Sequence, residues 1–186
     1  MTLPVTGSQT VGPFFRIGMA QLFREEFAPE GVRGERVTIH GRVLDGDGHG
    51  VPDAQIEIWQ ADSAGRYFDA ESAEGTGFLG FGRVPTNERG EFRFMTIKPG
   101  CVAGPGDAMQ APHLVVLVFM RGLLRHLVTR IYFGDETATN ASDPILELVP
   151  AGRRETLMAQ RESGNAATFA WNLRLQGDDE TVFFEA

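Results

Sequence analysis

A single cysteine, Cys101, stands in the 186 residues. One thiol cannot form a disulfide within its own chain, nor assemble a cysteine-based zinc or iron–sulfur cluster there. The scarcity fits a reducing compartment, so the chain is expected to be cytoplasmic. Basic charge is also short: 17 Lys and Arg face 25 Asp and Glu, for a net charge of −8. That sign argues against nucleic acid and against an anionic membrane surface as partners. Long apolar runs are missing as well. The longest stretch free of Asp, Glu, Lys and Arg, Met1–Phe15, is too short and too polar to span a bilayer, and Leu114–Met120 falls far short. The opening MTLPVTGSQT has no charged-then-apolar pattern of a secretion signal. Tyrosine is scarce, with two beside fourteen phenylalanines, so a site built on phenolate oxygens has few positions to draw on.

What is present reads as β structure. No internal repeat, low-complexity tract or linker divides the chain, and its length suits a single domain spanning 1–186. Residues 1–36 read as an N-terminal arm in which Ile17–Phe27 forms a short helix, and 37–186 as the core with a C-terminal extension. Val37–Asp45 alternates, with Val37, Ile39, Gly41 and Val43 on one face. The turn-rich DGDGHGVPD joins it to Ala54–Ala61, and the two segments read as a hairpin or as neighbouring strands of a sandwich. A long irregular stretch follows over Ala64–Gly80, of the kind that is functional or packed against a partner. In Gly90–Gly100, Phe92, Phe94 and Thr96 share a face. His113–Met120 is too apolar to have one face in water and reads as a central strand. His126–Phe133 pairs with it across RGLLR. Asp143–Val149 reads as a helix with Asp143 as N-cap and Pro144 at its first position, and Thr168–Gln176 as a further strand. Short strands between turns predict a mainly β protein, an antiparallel β-sandwich with short helices and long loops.

Side chains with chemistry are sparse. Residues i and i+2 of a strand point the same way, so His-X-His is the simplest two-ligand metal clip. Here the pattern is His113-Leu114-Val115, and the second ligand is missing. His40, His49 and His126 each stand alone, which suits hydrogen-bonded or solvated imidazoles. The chain has no Gly-X-Ser-X-Gly elbow, no Walker loop and no Gly-X-Gly-X-X-Gly after a strand. Asp45, Asp47 and Asp53 lie in a turn that lacks the downstream glutamate of a calcium loop. Cys101 reads as a small packing residue.

Several segments together resemble the intradiol ring-cleaving dioxygenases: SQTVGPFF (Ser8–Phe15), VTIHGRVLDGDGHGVPDAQIEIWQADSAGRY (Val37–Tyr67), GRVPTNERGEFRFMTIKPG (Gly82–Gly100), APHLVVLVF (Ala111–Phe119) and TRIYF (Thr129–Phe133). The likeness runs from near Ser8 to the end, and is to the alpha chain of members built from unlike alpha and beta subunits. It implies a prealbumin-like sandwich and a heteromer whose beta subunit carries non-haem Fe(III). It further implies cleavage of 3,4-dihydroxybenzoate by O2 to 3-carboxy-cis,cis-muconate. Such enzymes hold ferric iron with two tyrosinates and two histidines, and phenolate is a hard, anionic oxygen donor that favours the ferric state. The matching positions are Tyr67, Val102, His113 and Val115, so two of the four carry valine, which has no lone pair to donate. The family's arginine just before Pro-Ala-His is replaced by Gln110. Tyr132 sits in the TRIYF strand rather than after Pro-Gly and does not restore the set. The resemblance implies no metal in this chain, and His113 as a relic.

The same resemblance places the N-terminal Thr-X-Gly-Pro segment, here Thr10, Gly12 and Pro13, opposite the partner's iron. A plain turn entering the helix explains those residues equally well. Arg130 is expected at the same shared pocket, attracting a substrate carboxylate or the developing anionic product, with an interface ion pair as the other reading. No catalytic residue is expected in the chain alone. A non-enzymatic sandwich that scaffolds or binds a small aromatic compound is the competing account.

Overall fold

The computed structural model describes residues 5–68, 77–164 and 167–185. The elements in chain order are α1 (Pro13–Met19), β1 (Arg36–Leu44), β2 (Gln55–Trp59), β3 (Phe81–Pro85), β4 (Glu91–Ile97), β5 (Val102–Ala103), β6 (Met109–Gln110), β7 (His113–Phe119) and β8 (Leu127–Phe133). After them come α2 (Thr137–Ala141), α3 (Pro144–Leu148), β9 (Met158–Arg161), β10 (Thr168–Ala170) and β11 (Leu173–Arg174). Part of the long Ala64–Gly80 stretch, residues 69–76, lies outside the described residues.

The alternating segments form two facing layers. In one, β4, β1, β10 and β9 are neighbours; in the other, β3, β2, β7 and β8. β9 pairs with β10 on one edge and β8 on the other, joining the layers along one side. Most pairings are antiparallel, as the sequence predicts, but β1–β10, β1–β11 and β8–β9 are parallel. Ile39, Phe94 and Phe169 of the first layer and Ile56, Ile58, Leu114, Val116 and Ile131 of the second are wholly buried in one apolar cluster. Burying each such side chain contributes about 1.5–3 kcal/mol, set against the entropy of ordering the chain.

Three expectations are corrected. β1 and β2 are not paired: Asp45–Asp53 carries the chain from one layer to the other, because both strands turn apolar faces into the same core. The Asp45 carboxylate organises that turn, accepting from the Asp47 and His49 backbone N–H groups at 3.0 and 2.8 Å. The N-terminal helix starts and ends earlier than Ile17–Phe27. Gly12 caps it and Pro13 opens it, and after a 3₁₀ turn over Ala20–Leu22 the chain becomes extended. Backbone pairing then claims the rest: Arg24 N–H donates to the Arg83 carbonyl, while Glu25 and Phe27 bond Met95 on the edge of β4. Phe27 stacks on Phe94 at 5.0 Å, over Gly82, where any Cβ would strike its ring. The third correction concerns Thr168–Gln176, which is two short strands. Between them the Trp171 carbonyl folds over Gly41, and Asn172 Oδ1 accepts from Arg42 N–H. Asp143 does cap α3, its Oδ1 accepting from Ile145 and Leu146 N–H at 2.8 Å.

A Cβ built on Gly41 would lie 1.6 Å from the Trp171 carbonyl oxygen, whereas one on Gly152 meets open space. Gly41→Ala should therefore lower stability by about 3 kcal/mol or more, because a backbone carbonyl must move. Gly152→Ala should stay within about 0.5 kcal/mol of the parent. Urea midpoints of the two variants make the comparison.

Candidate functional site

The β7–β8 ladder decides which side chains meet. Leu114 opposes Ile131 and Val116 opposes Thr129, all turned inward and buried. Alternation then puts His113, Val115, Leu117, Tyr132, Arg130 and Val128 on the outer face. Val115, Leu117 and Phe119 are only half-buried there, so this central strand does not have both faces enclosed along its length. Where β7 begins, the outer face is covered. The hairpin of β5 and β6 sets Val102 opposite Gln110, and α3 brings Leu146 and Val149 over Tyr132.

At this covered end a guanidinium lies among the positions of the resembled ligand set. Arg130 stands opposite Val115, and its Nη1 donates to Gln110 Oε1 at 2.7 Å and to Tyr132 Oη at 3.1 Å. The Tyr132 hydroxyl donates in turn to Asp143 Oδ1 at 3.3 Å. Asp143 is buried, and its Oδ2 accepts from Ala111 N–H at 2.7 Å. The guanidinium also sits 5.8 Å from the centre of the Phe184 ring. Tyr67, about half exposed, feels the Arg130 charge, although burial still raises its pKa. Burial likewise pushes the Tyr132 phenol up.

His113 is only 3% exposed, and its ring centre is 5.5 Å from that of Tyr132. Its Nδ1–H donates to the Ala111 carbonyl at 2.8 Å, which fixes the tautomer by its partner. Burial first, and the Arg130 charge second, lower its pKa to about 4, so the ring is neutral at pH 7. The residues here do not fit a ferric ion. Val102 and Val115 offer no donor, and a fixed cation holds the neighbouring space. Among the described residues no three of His, Cys, Asp and Glu are grouped to hold a metal.

The arm residues lie elsewhere. Thr10, Gly12 and Pro13 are exposed, and Thr10 Oγ1 accepts from Gly122 N–H at 2.8 Å, tying the arm to the β7–β8 turn. Phe15 packs against Phe119, with ring centres 5.5 Å apart. Phe119 and Val115 stand about 13 Å apart along β7 at the usual strand rise. The structure thus joins Tyr67, Gln110, His113, Val115 and Arg130, and keeps the arm apart from them within one chain. Gly12 and Pro13 line a separate cavity of about 230 Å³ beside Asp53 and Arg121. Sequence reasoning missed the parts played by Tyr132, Asp143 and Phe184. The pairing of the two strands across RGLLR, once counted out residue by residue, would have set Tyr132 beside His113.

A family model described as Dioxygenase matches residues 18–177, and the chain belongs to the intradiol ring-cleaving dioxygenases. Within that class it is 45% identical to the protocatechuate 3,4-dioxygenase alpha chain of Burkholderia cepacia, over 99% of this chain and 98% of that one. It is 33% identical to the protocatechuate 3,4-dioxygenase beta chain of the same species, over 96% of this chain and 78% of that one. The fold is shared with the crystal structure of a hydroxyquinol 1,2-dioxygenase from Pseudomonas putida DLL-E4, with a TM-score of 0.66 and 24% identity over 94% of this chain and 67% of that one. Among the described residues no helix is long and apolar enough to cross a membrane.

The lowered pKa of His113 has a stability consequence. An unfolded histidine takes up a proton below about pH 6.5, while the folded one resists until about pH 4. Between those values the unfolded state binds more protons, so stability falls as the solution is acidified, by about 3 kcal/mol if the whole shift is expressed. Urea unfolding measured from pH 7 to pH 4 should show this loss, and His113→Gln should flatten it. An equally steep curve in the variant would assign the loss to other groups.

Proposed function

We propose that the chain serves as the alpha subunit of a protocatechuate 3,4-dioxygenase. It walls and orients the pocket in which 3,4-dihydroxybenzoate is cleaved, while a beta subunit holds Fe(III). The observation that carries this reading is the altered ligand set: near full-length likeness to an alpha chain, with Val102 and Val115 at two ligand positions and Arg130 among them. The iron supplies activation of the bound catechol towards dioxygen. The ring bond between the two hydroxylated carbons breaks, and both oxygen atoms of O2 enter the product, 3-carboxy-cis,cis-muconate. The chain acts as one unit, arm 1–36 and core 37–186, in the cytoplasm.

Arg130 presents a permanent positive charge from a half-buried position on the outer face of the sheet. A guanidinium fork matches a carboxylate in shape and charge, which suits the carboxyl group that distinguishes this substrate from plain catechol. Thr10, Gly12 and Pro13 offer a rigid turn with exposed backbone. Because they stand apart from Arg130 in one chain, the two groups reach a shared pocket from different directions or from different copies. Holding a substrate in register by a second subunit accelerates reaction through orientation alone.

The test is the chain co-purified with a beta partner. Arg130→Ala should raise KM for 3,4-dihydroxybenzoate about tenfold or more, in line with loss of one charge-assisted hydrogen-bonded pair. Iron per complex should not change. Unaltered kinetics would remove Arg130 from the pocket, and a fall in iron would give it a structural role instead.

A further inference from the structure

Arg130 carries five N–H donors, yet its contacts among the described residues use Nη1 alone. Both Nη1 hydrogens are taken, one by Gln110 and one by Tyr132, while Nε and Nη2 have no hydrogen-bond partner among the described residues. The guanidinium carbon lies 5.8 Å from the centre of the Phe184 ring, and the Phe184 backbone N–H is pinned to the Val128 carbonyl at 2.8 Å. Tyr132 is itself fixed, wholly buried and bonded to Asp143, and Asp143 is locked by three backbone N–H groups at the start of α3 and at Ala111. A long flexible side chain is thereby held at one nitrogen with an aromatic ring beside it, and its Nε–Nη2 edge makes no hydrogen bond among the described residues.

We propose that Gln110 and Tyr132 are positioning residues that aim the free Nε–Nη2 edge of Arg130 at the substrate carboxylate, and so set the preference for catechols bearing that group. This rests on the reading that Arg130 belongs to the substrate pocket. The amide at position 110 has two properties that suit the task. Its Oε1 accepts one N–H of the guanidinium, and it carries no charge to neutralise it. A second arginine there, as in the resembled family, would repel Arg130; a glutamate would pair with it and compete with the incoming carboxylate. Tyr132 suits the same role, because its hydroxyl donates its own hydrogen bond to Asp143 and leaves a lone pair to accept from Nη1. With the rotamer fixed in advance, less side-chain entropy is lost when a carboxylate docks.

The experiment uses the assembled alpha–beta complex under argon, where ligands bind without turnover. Dissociation constants for 3,4-dihydroxybenzoate and for catechol are measured in the parent and in Gln110→Ala, Gln110→Glu, Tyr132→Phe and Arg130→Ala. The proposal expects Gln110→Ala and Tyr132→Phe to weaken dihydroxybenzoate binding about five- to tenfold, a share of one charge-assisted bond. Gln110→Glu should weaken it at least as much, although the group at 110 keeps its shape. Catechol binding should stay within about twofold throughout, and Gln110→Ala should add nothing in an Arg130→Ala background. A merely structural role would weaken both ligands together, and that result overturns the proposal. If Arg130→Ala alone shifts the preference, the pocket reading stands and the positioning claim fails. If Arg130→Ala also changes nothing, the pocket reading fails first. Should Tyr132→Phe not assemble, the half-exposed Gln110 pair of variants decides the matter alone.

Discussion

Six residue pairs, from His113–Tyr132 to Val118–Leu127, hold β7 against β8. Leu114, Val116, Val118 and Ile131, inward members of this ladder, are wholly buried. A slip of one residue would turn every one of them outward and drive Arg130 and His113 into the core. Hydrophobic burial on one face therefore fixes chemistry on the other. Arg130 is set opposite Val115 and Tyr132 opposite His113 because of where the leucines and valines must go. The covering hairpin and α3 then complete the cluster from the far side, through Gln110 and Asp143.

The charged side chain beside Val115 has its own logic. Val102 and Val115 offer no polar group, and a neutral imidazole and a phenol stand close to them. A guanidinium brings positive charge there with hydrogen bonds of its own, satisfying Gln110 and Tyr132, and with an aromatic ring against it. The neutrality of His113 follows from the same arrangement, since burial and a neighbouring cation both oppose its protonation. Beyond the end of β8 Lys98 plays a different part. It bonds Asp135 at 3.0 Å and lies over the Phe133 and Phe169 rings, joining β4 to the end of β8 across the edge that β9 closes. One cation cluster braces the sandwich; the other keeps an edge open.

Much of the sandwich was legible in the sequence because each strand carries its burial as alternation. Val37–Val43 and Phe92–Thr96 turned inward as their patterns required, whereas His113–Met120, read as having no face in water, leaves Val115, Leu117 and Phe119 half-buried on its outer side. Alternation names the buried face and not the neighbour, so the β1–β2 pairing was misread, and the parallel pairings of β1 and β8 left no local mark. Residues 23–27 have a helical pattern that the unpaired edges of β3 and β4 overrode. At the site, the two valines and Gln110 were readable by position along the resembled motifs. The clamp was not, because Tyr132, Asp143 and Phe184 come from separate elements and meet only through strand register and a helix cap.

The central claim is that this chain has exchanged metal chemistry for a fixed cation. Its most direct test is anaerobic titration of the purified chain with iron, followed by air oxidation and visible absorption. The account predicts no tyrosinate-to-iron charge-transfer band and no iron retained after gel filtration. A stoichiometric coloured complex, lost on changing Tyr67 or His113, would contradict it and return the chain to the metal-binding members of its family.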